Sequence, residues 1–390
     1  MERKNDDTMK RFFMLAAAVA AVCGMVSCGA EYEKPAEGSQ TGFALSFFKN
    51  VDKTSKPGEN IVVSPYSAGV ALSMVAEGAE GQTRVEFDNA LNGCLFKAED
   101  LGSNDTVTVK SANSVWVTDD FSLRNRYVSL LEKDFDAFIT TLNFADPATV
   151  KAINNWCAEN TNYKITEIID RINPGTVMML VNALYFNAPW EEAFLEKNTK
   201  EGVFHAYSGD VQVPMMSQTA RFNYAEYQGC QLVELPYQGG RYAMYVALPA
   251  SGMSVDQIIP YINETLYTQA MDMMAPAKVR LTMPKVKLET SLVLNKALQE
   301  MGVRTAFTSA ADFKGIAEMG PLALDQVKQK CYIEVSEKGT EAAAVTNIGV
   351  RLTSARPETV VTLNVDRPYL FFISDRTNGN ILFAGKVMTL

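Results

Sequence analysis

The sequence predicts an α+β fold in one large domain with mixed β-sheets. Patterns of helical period dominate the first part of the chain, whereas patterns of strand period dominate its end, from Thr359 on. The two kinds of pattern do not alternate regularly, which argues against a parallel sheet built from repeated strand–helix units. The chain has 390 residues, 47% of them hydrophobic, so it can bury a large core. No position stands out as a domain boundary.

The first 160 residues contain five predicted helices and one predicted strand. The helices cover 41–56, 65–80, 82–92, 124–135 and 147–160, and the strand covers 109–118. The second helix has the clearest start, because Ser64 is a good N-cap and Pro65 suits the first turn.

Strands dominate the remainder. Apolar runs over 176–187 and 241–248 predict well-buried strands, and 278–289 alternates with an irregularity at Pro284. Residues 291–302 predict a helix that ends at Gly302. The last predicted strands cover 360–363, 369–374 and 381–388.

The segment 337–353 is the most informative about function. Every second residue from Thr340 to Leu352 is small or apolar, whereas the interleaved residues carry all the charges of that stretch. A period of two indicates a strand with one buried face. Turn-forming residues flank it, so we expect a loop that can later become a strand. A plain edge strand or a short Ala-rich helix are the alternatives, and Gly349 counts against the helix.

Several classes of chemistry have little support. The net charge is −9 without a basic cluster, which argues against a nucleic-acid partner. His205 is the only histidine and is read as a strand-end residue, so a Ser-His-Asp hydrolase is disfavoured. Ser46 and Lys49 match S-x-x-K without its partner motifs. We therefore expect no enzyme, no metal and no cofactor. Widely spaced cysteines predict buried free thiols: Cys94, Cys157, Cys230 and Cys331.

The N-terminus has the features of a targeting segment. Lys10 and Arg11 precede an apolar run that is too short to span a bilayer, and Met9 is an alternative start. The run ends in Ser27-Cys28-Gly29, which resembles the lipobox of bacterial lipoproteins, where the cysteine is acylated. We therefore expect a signal peptide over 1–27 and a lipid-anchored tether over 28–40. An ordinary cleaved secretory signal is the alternative.

Motifs in a fixed order resemble those of the serpins from about residue 41 to 390. They are Asn60–Ser67, Asn182–Phe186 with Trp190, Val213–Met216, Glu337–Ala344, Asp366–Tyr369 and Phe383–Val387. The resemblance implies a serpin fold: a main mixed or antiparallel sheet, further sheets, about eight or nine helices, and an exposed reactive-centre loop over about 337–358.

The resemblance also implies roles for particular residues. The regions that control opening of the main sheet, called the shutter and the breach, would contain Asn60, Ser64, Ser67, Asn182, Trp190 and Gln329. The hinge of the loop would contain Gly339, Thr340, Glu341, Ala342, Ala343, Ala344, Val345 and Thr346. Two positions depart from the family pattern. Gln329 stands where a histidine is usual, just before the strand that leads to the hinge, and Tyr369 replaces the usual phenylalanine.

The function implied is suicide inhibition of a serine endopeptidase, with cysteine endopeptidases as further candidate targets. The hinge contains no bulky, charged or proline residue on its inward face, as inhibitory members require. The scissile bond is expected at Thr353-Ser354, with Arg351-Leu352 and Leu352-Thr353 as alternatives. The target would be elastase-, subtilisin-, trypsin- or papain-like. We expect a monomer anchored through Cys28 to the outer membrane of a bacterial envelope, facing the periplasm or the outside. A non-inhibitory surface lipoprotein that binds a ligand is the alternative.

Overall fold

The computed structural model describes residues 38–104, 106–318, 322–340 and 359–390. These residues contain eight α-helices and fifteen β-strands. The helices are α1 (Gln40–Thr54), α2 (Pro65–Ala76), α3 (Gly81–Ala90), α4 (Asn125–Phe135), α5 (Ala148–Asn160), α6 (Val255–Ile258), α7 (Glu264–Asp272) and α8 (Asn295–Glu300). Short 3-10 turns cover Glu196–Asn198, Ile259–Tyr261 and Thr305–Phe307. The helix count agrees with the fold that the resemblance implied.

The strands make up two sheets. They are β1 (Ile61–Val63), β2 (Thr108–Thr118), β3 (Ala137–Leu142), β4 (Met178–Pro189), β5 (Lys200–Ala206), β6 (Gly209–Tyr227), β7 (Cys230–Pro236), β8 (Tyr242–Pro249), β9 (Ala275–Pro284), β10 (Val286–Val293), β11 (Lys328–Ser336), β12 (Gly339–Thr340), β13 (Val360–Asn364), β14 (Tyr369–Asp375) and β15 (Ile381–Val387).

The six-stranded sheet, called the main sheet below, has the order β10-β11-β12-β4-β2-β3. Its central strands are antiparallel, and the edge strand β3 is parallel to β2. The two-residue strand β12 lies between β11 and β4, and in the described part of the chain these two long strands form no ladder with each other. The sheet is therefore interrupted at its centre by the start of the hinge.

The other sheet has nine strands in the order β1-β15-β14-β8-β7-β6-β9-β13, with β5 paired to β6. Strands β14 and β15 are buried along their whole length, as expected for the centre of a large core. Helix α1 covers this core with Phe43, Phe47 and Phe48, all inaccessible to solvent. Phe47 and Phe48, the two residues between Ser46 and Lys49, thus belong to the apolar face of α1, so the S-x-x-K match reflects helix packing.

Local capping defines the start of α2. The Ser64 hydroxyl accepts a hydrogen bond from the Ser67 amide at 3.1 Å, and Pro65 occupies the first turn. Eleven of its twelve residues are buried. The helix is consequently held in the interior, with its N-terminus beside β11.

The structure differs from the sequence prediction at some elements. The helix predicted over 291–302 is limited to α8, because residues up to Val293 continue β10. The alternating stretch 278–289 is two strands, and Lys285 at the break between them donates its amide to the Pro214 carbonyl. Strands β1, β3, β6 and β7 and helices α6 and α7 were not predicted from the sequence. Among the described residues, no helix is both long enough and apolar enough to cross a membrane.

Candidate functional site at the hinge and the shutter

The hinge begins inside the main sheet. Gly339 pairs with Ser336 of β11 and Pro189 of β4, and Thr340 pairs with Val335 and Ala188. Gly339 has a φ of +146°, and a Cβ at this position would overlap the Ala188 carbonyl oxygen. Only glycine fits such a position without strain. Glu337, Gly339 and Thr340, which the family resemblance placed in an exposed loop, are buried, and the rest of that loop, 341–358, lies outside the described residues.

An aromatic pair closes over the hinge. Thr340 is 2% exposed, and its hydroxyl lies 2.6 Å from the Tyr237 hydroxyl. The Tyr237 ring stacks on Trp190 with 4.5 Å between centroids. Trp190 in turn donates its indole N–H to the Ser336 carbonyl at 2.9 Å and its amide to the Lys338 carbonyl at 2.9 Å. Burial raises the pKa of Tyr237, so its hydroxyl remains protonated and able to donate. Trp190 thus fixes the turn that leads into β12.

A buried carboxylate anchors the residue just before this turn. Glu337 accepts a hydrogen bond from the Thr199 hydroxyl at 2.8 Å and lies 3.0 Å from the Lys285 ammonium. Burial acts to raise the pKa of Glu337, but hydrogen bonds from its backbone, Lys285 and Thr199 outweigh that effect and lower it. The carboxylate is therefore ionised at neutral pH and ties the hinge to β9–β10 and to the turn before β5.

The shutter is a polar latch between β11 and α2. Gln329 is 8% exposed; its Oε1 accepts from the Ser64 amide at 3.0 Å, and its Nε2 donates to the Ser64 carbonyl at 2.8 Å. Gln329 lies within β11, not before it as the sequence suggested. An amide satisfies both backbone groups without carrying a titratable proton. The latch therefore works over a wide pH range, unlike one formed by histidine.

The same network continues to β4 and β2. The Ser67 hydroxyl donates to Asn182 Oδ1, Asn182 Nδ2 donates to Asn113 Oδ1, and Asn113 donates to the Phe135 carbonyl at 2.7 Å. The N-terminus of α2 is thus bonded to both strands that border the hinge. Asn182, which the sequence grouped with Trp190, belongs to this network. Asn60 lies elsewhere and bonds the backbone of Met388 and Thr389.

Other predicted site residues fall outside the described residues. They are Cys28, the hinge residues Glu341, Ala342, Ala343, Ala344, Val345 and Thr346, and the candidate scissile positions Arg351, Leu352, Thr353 and Ser354. His205 does lie near the end of β5, exposed and paired with Asp210 at 2.8 Å. The described part of the chain contains no group of three or more residues able to hold a metal.

The described cysteines are free thiols. Burial raises the pKa of Cys157 to about 12, of Cys230 to about 11 and of Cys331 to about 12. These three are thus unreactive core residues, as the sequence predicted. Cys94 is only partly buried, and its thiol lies 2.6 Å from the Gly38 carbonyl oxygen.

Three residues that hold the site were not identified from the sequence: Asn113, Tyr237 and Lys285. Tyr237 follows β7 and carries no motif of its own. Asn113 could have been found only as a polar residue inside a predicted strand. Such a residue, if buried, needs a hydrogen-bond partner.

Comparisons with known proteins agree with this geometry. A model of the family "Serpin (serine protease inhibitor)" matches residues 38–390. An uncharacterized serpin-like protein of Thermococcus kodakarensis is 33% identical over 371 residues, with 91% of this chain and 86% of the relative covered. Iripin-2 of Ixodes ricinus is 32% identical over 400 residues, with 97% and 99% covered.

Solved structures give the same result. The thermophilic serpin tengpin in its native state matches with a TM-score of 0.82 and 29% identity, over 90% of this chain and 93% of that one. A serpin described as highly specific, from the insect Tenebrio molitor, matches with a TM-score of 0.75 and 31% identity. The chain therefore belongs to the serpins, a family of serine protease inhibitors rather than of enzymes.

Proposed function

We propose that this chain is a suicide-substrate inhibitor of serine endopeptidases, and also of cysteine endopeptidases with a compatible specificity. The observation that carries the proposal is that Thr340 already lies within the main sheet. It occupies the interval between β4 and β11 with its side chain inward, and it begins a run in which every second residue is small or apolar. The start of an additional strand is thus already in place before any bond is cut.

The reaction begins as ordinary proteolysis. The nucleophile of the protease attacks the carbonyl carbon of the scissile residue, and the C-terminal part of the chain leaves with a new amino group, so that an acyl-enzyme remains. Water would normally hydrolyse this ester or thioester. Insertion of the freed segment into the main sheet competes with hydrolysis and carries the attached protease along. Inhibition requires that insertion and the resulting distortion of the protease precede deacylation.

The observed register predicts where each residue of the inserted strand will lie. Thr340 pairs with Val335 and Ala188, so a residue n positions after it faces positions 335 − n and 188 − n. Ala344 then lies between Cys331 and Leu184, and Thr346 lies between Gln329 and Asn182. Insertion consequently reaches the shutter at Thr346, where the hydroxyl can enter the polar network.

The same register supports a scissile bond beyond residue 350. Strand β4 begins at Met178, which corresponds to residue 350 of the inserted strand. Thr353 lies three residues beyond, so cleavage at Thr353-Ser354 frees enough chain to fill the whole interval. Thr353 lies thirteen positions after Thr340, so the acylated protease would end roughly 43 Å from Thr340 along the sheet. We propose Thr353-Ser354 as the bond cut, with Arg351-Leu352 and Leu352-Thr353 as alternatives.

We also propose that residues 1–27 are a signal peptide and that Cys28 is acylated and anchors the protein to a bacterial envelope. The support is the small residue Ser27 before Cys28 and the apolar run that precedes them. Cys28 lies ten positions before Gly38, the first described residue. Labelling with a fatty-acid precursor should mark the wild-type protein and not a Cys28→Ser variant. Equal labelling of both would refute the anchor.

The function is tested with a panel of elastase, trypsin, subtilisin and papain. We expect an SDS-resistant complex with at least one enzyme, and release of a peptide whose N-terminus identifies the scissile bond. Cleaved inhibitor should also melt at a markedly higher temperature than the intact protein, because the inserted strand adds hydrogen bonds to the centre of the sheet. Cleavage by every enzyme without a complex or a change in Tm would instead support a non-inhibitory binding protein.

A further inference from the structure

One edge of β5 is open over the first half of the strand. In the described part of the chain, β5 forms a ladder with β6 alone. On the side away from β6, the His205 amide donates to the Asp366 carbonyl at 2.7 Å. Alternate residues of an antiparallel pair direct their backbone groups away from the partner strand. Glu201 and Val203 therefore point their backbone groups to the same side as His205, and this side is called the outer edge of β5.

The backbone groups of Glu201 and Val203 are available on this outer edge. Within the described ranges, neither amide donates a hydrogen bond to a carbonyl or to a side chain. Glu201 lies opposite Pro214, which has no N–H, so that residue cannot bond the Glu201 carbonyl. Both residues are exposed. An unpaired strand edge is a template on which another extended segment can form hydrogen bonds.

A cavity of about 530 Å³ lies along this part of the edge, and Glu201 and Val203 are among the residues that line it. Its volume is within the range of ligand-binding sites. The lining also contains a row of polar side chains that are paired across three strands: Ser217 of β6, Thr282 of β9 and Asn364 of β13. The Ser217 and Thr282 hydroxyls lie 3.2 Å apart. A segment placed against the edge would therefore also meet hydroxyl and amide groups.

Two charges give the edge a pattern that a ligand can match. Lys200 and Glu201 are consecutive in β5, so their side chains point to opposite faces of the sheet. Among the described residues, neither side chain forms an ion pair. The side chains of an added strand alternate in the same way. Two consecutive residues of opposite charge in that strand would thus each lie beside one of these charges, and such cross-strand pairs are stabilising.

We infer that the outer edge of β5 is a docking site for an extended peptide segment in which an acidic residue is next to a basic one. Main-chain hydrogen bonds to Glu201 and Val203 supply the affinity, and Lys200 and Glu201 select the charges. The site belongs to β5, β6, β9 and β13, whereas the proposed inhibition uses the interval between β4 and β11. Peptide binding is therefore measurable without any protease.

The test measures the binding of two acetylated and amidated pentapeptides to the intact protein by titration calorimetry. Their sequences are Thr-Val-Glu-Lys-Val and Thr-Val-Lys-Glu-Val, because an added strand can run in either direction. We expect one order to bind more tightly, and the exchange K200E/E201K, which keeps the net charge, to reverse that preference. Val203→Pro removes the outward amide. It should weaken binding about tenfold relative to the control Val203→Ala, which is the effect of losing one hydrogen bond.

A second measurement uses the wild-type protein, so it does not depend on the folding of a variant. N-methylation of alternate peptide amides should abolish binding for one set of positions only, because an added strand bonds β5 through one of its edges. Failure of both peptides to bind, or equal affinities of V203P and V203A, would overturn the inference. Equal binding of both peptide orders before and after the exchange would also overturn it. So would dimers of the chain that V203P abolishes, since they would assign the edge to a second copy.

Discussion

Replacing Thr340 by arginine should convert the inhibitor into a substrate. Thr340 is 2% exposed, between the buried Ala188 and Val335, and its hydroxyl is within 2.6 Å of the Tyr237 hydroxyl. The nearby buried carboxylate of Glu337 is already bound by Lys285. An arginine at this position would have no acidic partner inside the sheet, so its cation has to stay in solvent and keep the hinge out.

The size of the effect follows from the cost of burying that cation. Leaving a charge buried without a partner costs several kcal/mol, and about 3 kcal/mol is a moderate value. If this cost appears fully in the barrier to insertion, insertion slows by about 100-fold. A wild-type inhibitor that inserts about ten times faster than it deacylates would then insert about ten times slower. Its stoichiometry of inhibition should rise from near 1 to about 10.

The assay is titration of a fixed amount of protease with inhibitor, read as residual activity and as complex on SDS gels. Glu341→Arg is the matched control, because the period of two places residue 341 on the opposite face from Thr340. We expect this control to keep the wild-type stoichiometry. An unchanged stoichiometry for Thr340→Arg, or an equal rise for both variants, would show that burial of residue 340 does not control insertion.

Three further predictions concern the contacts around the hinge and the shutter. Lys285→Met should lower the free energy of unfolding by about 1 kcal/mol at neutral pH. Because the pKa of Glu337 is lowered, this contribution is present above the ordinary glutamate pKa and is lost as pH falls through the lowered pKa. Urea titrations across that pH range measure it, and a variant that loses as much stability in acid as the wild type would contradict the prediction. Gln329→His should lose stability as pH falls through about 6.5, since imidazolium cannot accept from the Ser64 amide; a flat Tm–pH profile would contradict this. Tyr237→Phe should cost about 1 kcal/mol and show coupling with Thr340→Val in a double-mutant cycle, and additive effects would exclude the hydroxyl contact.

Much of the fold could be predicted because local patterns were strong where burial was regular. The capping serine and proline before α2, and the apolar runs of β4 and β8, depend on residues close together in sequence. Strand β6 was missed because its burial pattern is irregular along nineteen residues, which pair with β5 over one part and β7 over another. The helix predicted over 291–302 was too long because β10 extends to Val293.

The candidate site could be predicted only in part for a related reason. The inward face of the hinge is encoded in consecutive residues, so a period of two was enough to find it. Its partners are distant in sequence: Tyr237 lies 103 positions before Thr340, and Gln329 lies 265 positions after Ser64. No local pattern identifies such pairs. The burial of Gly339 and Thr340 was likewise unpredictable, because it depends on how far β4 and β11 separate.

Insertion of the cleaved loop is tested most directly by the crystal structure of the chain after cleavage between residues 351 and 354. We predict a continuous strand from Thr340 between β4 and β11, with Ala344 beside Cys331 and Thr346 between Gln329 and Asn182. A cleaved chain whose residues after Thr340 remain outside the sheet would contradict it. So would a register shifted by one residue, because Glu341 would then face the core.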